Sequence, residues 1–270
     1  MTPRQQNQID DEDVSEIYLI RHGDRYDYAN PSWAETAKET SNLTTDPPLS
    51  PLGHRQAKET ATFLTSVKAS HIFSSPYLRV IQTACPTSDT LKIPIAIEPG
   101  LSEAHATPGA LPTSAQRYAY FPQIDPHHEA MITVTASPGR TCQKTGLPCE
   151  AFAGHYVTRV GQLRDVLEDK FRGKTIVCFS HAASVALVAA LLRRGMEEFK
   201  FAPCGVYRLR RIGDGPWEML RSGACNEGYV SENSDTTYPW GLAEKHFEED
   251  CGGKYQGSSE GIGLDYFVRP

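Results

Sequence analysis

Ile17-Tyr18-Leu19-Ile20 is an apolar run that stops abruptly at Arg21-His22-Gly23. That pattern predicts a buried β-strand ended by charge and glycine. The next regular pattern begins at Ser50, a good N-cap, with Pro51 suited to the first helical position. Leu52, Ala57, Ala61, Leu64 and Val67 then recur at helical spacing and predict a helix to about Val67. Gly53 is costly in a first helical turn, which favours close packing beside a pocket over a merely tolerated glycine. His71–Pro76 predicts a second strand, Tyr77 to about Ser88 a helix, and Ile93–Ile97 a short third strand. Phe152, Tyr156, Val160, Leu163 and Leu167 mark one face of a helix predicted over Phe152–Phe171. Thr175–Phe179 is near-continuously apolar, as in a strand covered on both faces. Ala182–Leu192 predicts an apolar helix, and Gly205–Arg210 and Trp217–Leu220 two further strands.

Strands alternating with helices predict an α/β fold: three layers, with a mostly parallel central sheet and helices on both faces. Residues 1–15 are expected to be a disordered acidic leader, and 16–221 a single domain. Residues 106–149 interrupt the rhythm with Pro108, Pro112, Pro122, Pro126, Pro138 and Pro148. An irregular insertion of that length is expected to be functional, placed as a lid over the strand ends. Residues 222–270 read as a Gly/Ser/acid-rich extension with few apolar anchors beyond Tyr238-Pro239-Trp240. That extension is expected to face a second copy of the chain or another protein.

Bulk numbers narrow the chemistry. The 270 residues fit one large α/β domain, and 39% hydrophobic with 22% charged residues fit a globular chain. A net charge of −6 argues against direct nucleic-acid binding. It also means that any phosphate site must rest on local arginines. No apolar run is long enough for a membrane span, and the first residues lack a signal-peptide core. The expected compartment is therefore the cytoplasm, with the nucleus as the other choice. Seven cysteines without paired spacing fit reduced thiols. In that compartment the Asn42-Leu43-Thr44 acceptor would go unused.

Four predicted strand ends carry reactive groups: Arg21-His22-Gly23 with Arg25, Arg79 after Ser75-Pro76, Glu103, and His181. In parallel sheets such ends converge on one edge. A phosphate-accepting histidine needs an unprotonated ring nitrogen held in one tautomer. Three guanidiniums suit the charge spread over a phosphoryl group in flight. His22 is thus the candidate nucleophile and Glu103 the general acid/base. Arg21, Arg25, Arg79 and His181 are the phosphate-binding groups. No cofactor or metal is called for.

These motifs resemble the histidine phosphatase (phosphoglycerate mutase-like) superfamily, branch 1. The resemblance rests on Arg21-His22-Gly23, Pro48 through Ala57, Ser74 through Ala84, Glu103 and Ser180-His181-Ala182. They stand in family order across residues 17–195. The resemblance implies that family's fold, a phosphohistidine on His22, and catalytic roles for His22, Glu103 and His181. Asp24-Arg25, and Glu98-Pro99-Gly100-Leu101 leading to Glu103, are similar to the TULA/Sts phosphatases. An aromatic residue often follows the acid in that group, where this chain has Ala104. A weaker similarity, including Trp217 and the late tail, is to the phosphatase-like subunit of transcription factor IIIC. The implied substrate is a phosphorylated small molecule or a phosphotyrosine protein. The alternatives are a non-catalytic subunit of a protein assembly and a phosphoglycerate mutase or sugar-bisphosphate phosphatase.

Other motifs carry less. Asp11-Glu12-Asp13 precedes its strand, where an aspartyl nucleophile must follow one. Cys204 to Arg210 spells Cys-x5-Arg, but Val206, Tyr207 and Leu209 read as strand, not as a phosphate loop. His105, His127, His128 and Glu129 fit a pocket rim better than a metal site. Tyr118, Tyr120 and Phe121 fit packing under a loop.

Overall fold

The computed structural model describes residues 13–30, 32–33, 35, 46–142 and 146–233. Expectations for residues 1–12, Asn42-Leu43-Thr44 and Tyr238-Pro239-Trp240 lie outside them. The described chain forms one sheet of β1 (Val14–Arg21), β2 (His71–Ser74), β3 (Ile95–Ile97), β4 (Thr175–Ser180), β5 (Val206–Ile212) and β6 (Glu218–Arg221). The strand order is β3-β2-β4-β1-β5-β6. The β3-β2, β2-β4 and β4-β1 pairs are parallel, while β5 and β6 run antiparallel. β1 starts at Val14, inside the stretch expected as leader, because Val14 and Ser15 pair with Ile212 and Arg211.

Alternation along the strands divides the core. Ile17, Leu19, Ile176 and Cys178 face α3 (Val157–Lys170) and α4 (Val185–Leu192). Tyr18, Ile20, Val177 and Phe179 join Val80, Ile81 and Ala84 of α2 (Leu78–Leu91), with α1 (Pro51–Phe63) packed on α2. Each fully buried Leu, Ile or Phe in these layers contributes about 1.5–3 kcal/mol.

Three helices are shorter than their patterns predict: α1 ends at Phe63 rather than near Val67, and two others lose their first turn. Phe152–Tyr156 forms one wide π-type turn before α3, where Gly154 adopts φ +85°. Ala182–Ser184 is a tighter turn before α4. Among its described residues the 106–149 insertion holds a single α-helical turn, Ser114–Tyr118, closed by a Thr113/Gln116 capping box. Tyr118 and Tyr120 are solvent-exposed rather than packed beneath it, and Phe121 alone of that trio packs on the core. Among the described residues no helix is long and apolar enough to cross a membrane.

Register sets the site. Arg21 lies beside Ser180, Ser74 beside Phe179, and Ser74 beside Ile97. The residues just past each end, including His22, Ser75, Glu98 and His181, therefore share one edge.

Candidate active site

β1 delivers His22 on a fully paired backbone. Arg21 N donates to Gly205 O (3.3 Å) and His22 N to Ser180 O (3.0 Å). Cys204 N donates back to Arg21 O (3.1 Å) and His22 O (3.3 Å). The His22 ring faces the carbonyl of Gly23, Nδ1 to O 2.8 Å. A carbonyl only accepts, so Nδ1 carries the proton and Nε2 keeps its lone pair. Burial holds the His22 pKa well below its ordinary 6.5, helped by the positive charges of Arg79, Arg21 and Arg25.

The turn after His22 is pressed against the start of α1. A Cβ on Gly53 would stand 2.2 Å from Asp24 O, and one on Gly23 2.8 Å from Gly53 O. Both glycines are therefore sterically required. Ser50 Oγ accepts from Gly53 N as the cap of α1 and donates to the Asp24 carboxylate. Gln56 Oε1 accepts from Asp24 N (2.9 Å), and its Nε2 donates to Glu232 O (2.9 Å). Residues 222–233, expected as a loose extension, thus pack on the domain. Ser231 pairs with Glu59, and the Tyr229 ring stacks on Phe63 at 4.4 Å.

The structure brings together the other residues predicted from sequence. Arg79 and His181 are buried, with Arg79 Nη2 3.2 Å from His181 Nδ1. An arginine only donates, so His181 Nδ1 accepts, and its Nε2–H donates to Ser75 Oγ (2.7 Å). Desolvation, then Arg79, keeps His181 well below 6.5 as well. The two histidine rings meet edge to face, centroids 5.4 Å apart. Arg21 Nη1 donates to Phe201 O, and burial lowers its pKa to about 10. Arg25 differs: burial opposes its charge, yet a two-pronged pairing with Asp27 (2.9 and 2.7 Å) and Tyr28 leaves its pKa raised. Glu103 is partly open, its Oε2 3.7 Å from His181 Nδ1.

Several residues that sequence reasoning missed hold this cluster. Arg159 forms a buried two-pronged pair with Glu150 (both 2.7 Å). It also donates to Gly100 O (2.6 Å), Ser102 O (3.3 Å) and Glu103 O (3.2 Å), and so fixes the Glu103 loop. Its signal was present: a charged residue beside the apolar stripe Tyr156, Val160 and Leu163. Buried Asp46 accepts from Leu78 N (2.8 Å), pairs with Arg117 of the insertion, and lies 4.0 Å from Arg79. Glu98 receives the amides of Gly100 (2.9 Å), Met131 (2.7 Å) and Ile132 (3.1 Å). Thr83 Oγ1 accepts from Gly23 N (3.2 Å) and donates to Arg79 O (2.7 Å), linking the loop after His22 to the backbone of Arg79.

Comparison with known proteins gives the same grouping. The Transcription factor tau 55 kDa subunit of Saccharomyces cerevisiae is 28% identical over 225 residues, 79% of this chain and 46% of that protein. Fructose-2,6-bisphosphatase TIGAR of Xenopus tropicalis is 36% identical over 78 residues, 28% of this chain and 26% of that one. The chain thus spans less than half the length of either relative. Among solved structures, the ecdysone phosphate phosphatase from Bombix mori in complex with tungstate superposes with a TM-score of 0.56 at 21% identity. The match covers 83% of this chain and 97% of that one. Bacillus stearothermophilus YhfR gives 0.52 at 18% identity, covering 78% and 98%. These likenesses show a shared fold. Residues 17–223, which run from β1 past β6 and include every predicted site residue, match the model of the histidine phosphatase superfamily (branch 1), and the chain belongs to that family.

Proposed function

We propose that the protein hydrolyses phosphomonoesters through a phosphohistidine formed on His22. The observation that carries this reading is the Nδ1-to-Gly23 O contact of 2.8 Å, which leaves Nε2 unprotonated amid Arg21, Arg25 and Arg79. In the first step the Nε2 lone pair attacks phosphorus and the bond to the alcohol oxygen breaks. That oxygen takes the proton of Glu103. The three guanidiniums carry the charge of the equatorial oxygens. A phosphate dianion beside His181 counters the surrounding arginines and favours its protonated, donating form. In the second step the Glu103 carboxylate takes a proton from water. The water oxygen attacks phosphorus and displaces Nε2, which regenerates the starting enzyme and releases orthophosphate. The three arginines supply the charge in this scheme, so it calls on no metal ion. The substrate is a phosphorylated small molecule or a phosphotyrosine protein.

Hydrolysis of p-nitrophenyl phosphate tests the reading. Wild type is expected to turn over with EDTA present, and to yield an acid-labile, alkali-stable phosphoenzyme that His22→Ala lacks. A folded wild type inert across a broad phosphoester panel would overturn it. That result would favour a non-catalytic subunit, the reading supported by similarity to the transcription factor subunit.

A further inference from the structure

Beside the reacting groups lies a cavity of about 200 Å³. Its wall includes Tyr77, Ile97, Ser102, Ala106, Leu111 and Val134, and among the described residues no lining side chain is charged. Two of these residues tie it to the site. The Tyr77 ring meets His181 edge to face at 4.9 Å and lies 4.7 Å from the Arg79 guanidinium carbon. Ser102 is the residue before Glu103, in the loop that Arg159 clamps. Arg117, a cation that the insertion could have turned toward a ligand, is instead spent on Asp46.

We infer that this cavity is the subsite for the alcohol part of the ester, and that it takes an uncharged ring-bearing group. This rests on the phosphatase reading above. The leaving oxygen must face Glu103 to receive its proton, so its substituent runs along the same loop, where Ser102, Ala106 and Thr107 line the cavity. Apolar walls reward burial of a hydrocarbon ring. A second phosphate or a carboxylate there would lose its hydration and meet no cation among the described lining residues. The inference therefore separates this chain from enzymes of bisphosphates and phosphoglycerates by chemistry, not by ancestry.

Matched esters test it, because ethyl and cyclohexylmethyl phosphate release similar primary alcohols. Wild type is expected to favour the cyclohexylmethyl ester about 10- to 100-fold in kcat/KM. Cyclohexylmethylphosphonate should bind correspondingly tighter than ethylphosphonate by calorimetry. Val134→Asp is expected to erase most of both preferences while leaving ethyl phosphate turnover within about twofold. Ala106→Trp, which fills the cavity, should do the same and provides a second variant should one fail to fold. Equal kcat/KM for both esters, or variants that slow both in proportion, overturns the subsite alone. Selective phosphonate binding without turnover of any ester keeps the subsite and overturns the catalytic reading. Equal phosphonate binding without turnover overturns both.

Discussion

The β1 end of the site and the 106–149 insertion are held by different means. Around His22 the restraints are mainly peptide groups of β1, β4 and the residues before β5, joined by the side chains of Ser50, Gln56 and Thr83, with two glycines allowing near-contact of backbones. Around the insertion, backbone bonds of Ile95 with Gln123 and Asp125 are joined by buried carboxylates: Asp46 on Arg117, Glu98 on the Met131 and Ile132 amides, and Glu150 on Arg159. A backbone-held group keeps its place when surrounding side chains change. A carboxylate-held loop depends on single residues whose loss strands a buried charge. The difference fits a division of labour in the reading proposed above, with the phosphoryl chemistry at the strand end and the alcohol subsite beside the insertion.

The largest test of that division is His22→Ala. Activity is expected to fall by about 10⁴-fold or more while the urea midpoint barely moves, as initial rates and equilibrium unfolding will show. A large stability change would break the comparison. Next, Arg117→Leu strands Asp46 and is expected to cost about 3–5 kcal/mol of stability. The paired variant Asp46→Leu/Arg117→Leu should recover part of it, and a double-mutant cycle by urea unfolding measures the coupling. Gly53→Ala probes the crowded β1 end. Its Cβ collides with backbone rather than a flexible side chain, so about 1–3 kcal/mol is expected, with lowered turnover, read from denaturation and rates on the same sample.

Smaller effects follow pH. His22 and His181 stay neutral in the fold below the 6.5 at which unfolded histidines protonate. The unfolded chain therefore binds more protons as pH falls below 6.5, so stability decreases toward acid, which urea midpoints against pH would register. Removing a positive neighbour favours the protonated form, so Arg79→Gln should raise the His22 pKa in an NMR titration of its ring. Least of all, Tyr120→Ser on the insertion's surface should change stability by under about 0.5 kcal/mol, because its ring is 82% exposed.

How legible each region was follows from the same contrast. Strands, the α1 cap at Ser50 and the six candidate residues show in short local patterns, because β-periodicity and capping act over a few positions. The structure places those six residues in one cluster. The pairs fixing the insertion are distant in sequence: Asp46 and Arg117 are 71 positions apart, Glu98 and Met131 33. No local pattern marks them. The break between Phe152 and α3 was missed because the apolar stripe runs through it, and Gly154 alone signals the change. The packing of 222–233 is not legible because it rests on scattered polar contacts to α1 and the single ring of Tyr229 on Phe63, which leave no apolar pattern in the sequence.

The sheet order has a consequence for synthesis. β1 leaves the ribosome first but lies between β4, which starts at Thr175, and β5, which starts at Val206. Until those residues are made, Ile17–Ile20 is an apolar strand with neither neighbour in place. Such long-range pairing makes folding slow and the waiting strand prone to associate with others. A nascent chain shorter than about Ile212 is therefore the form most in need of a chaperone, and the strand that carries His22 is completed only once β4 and β5 have been made.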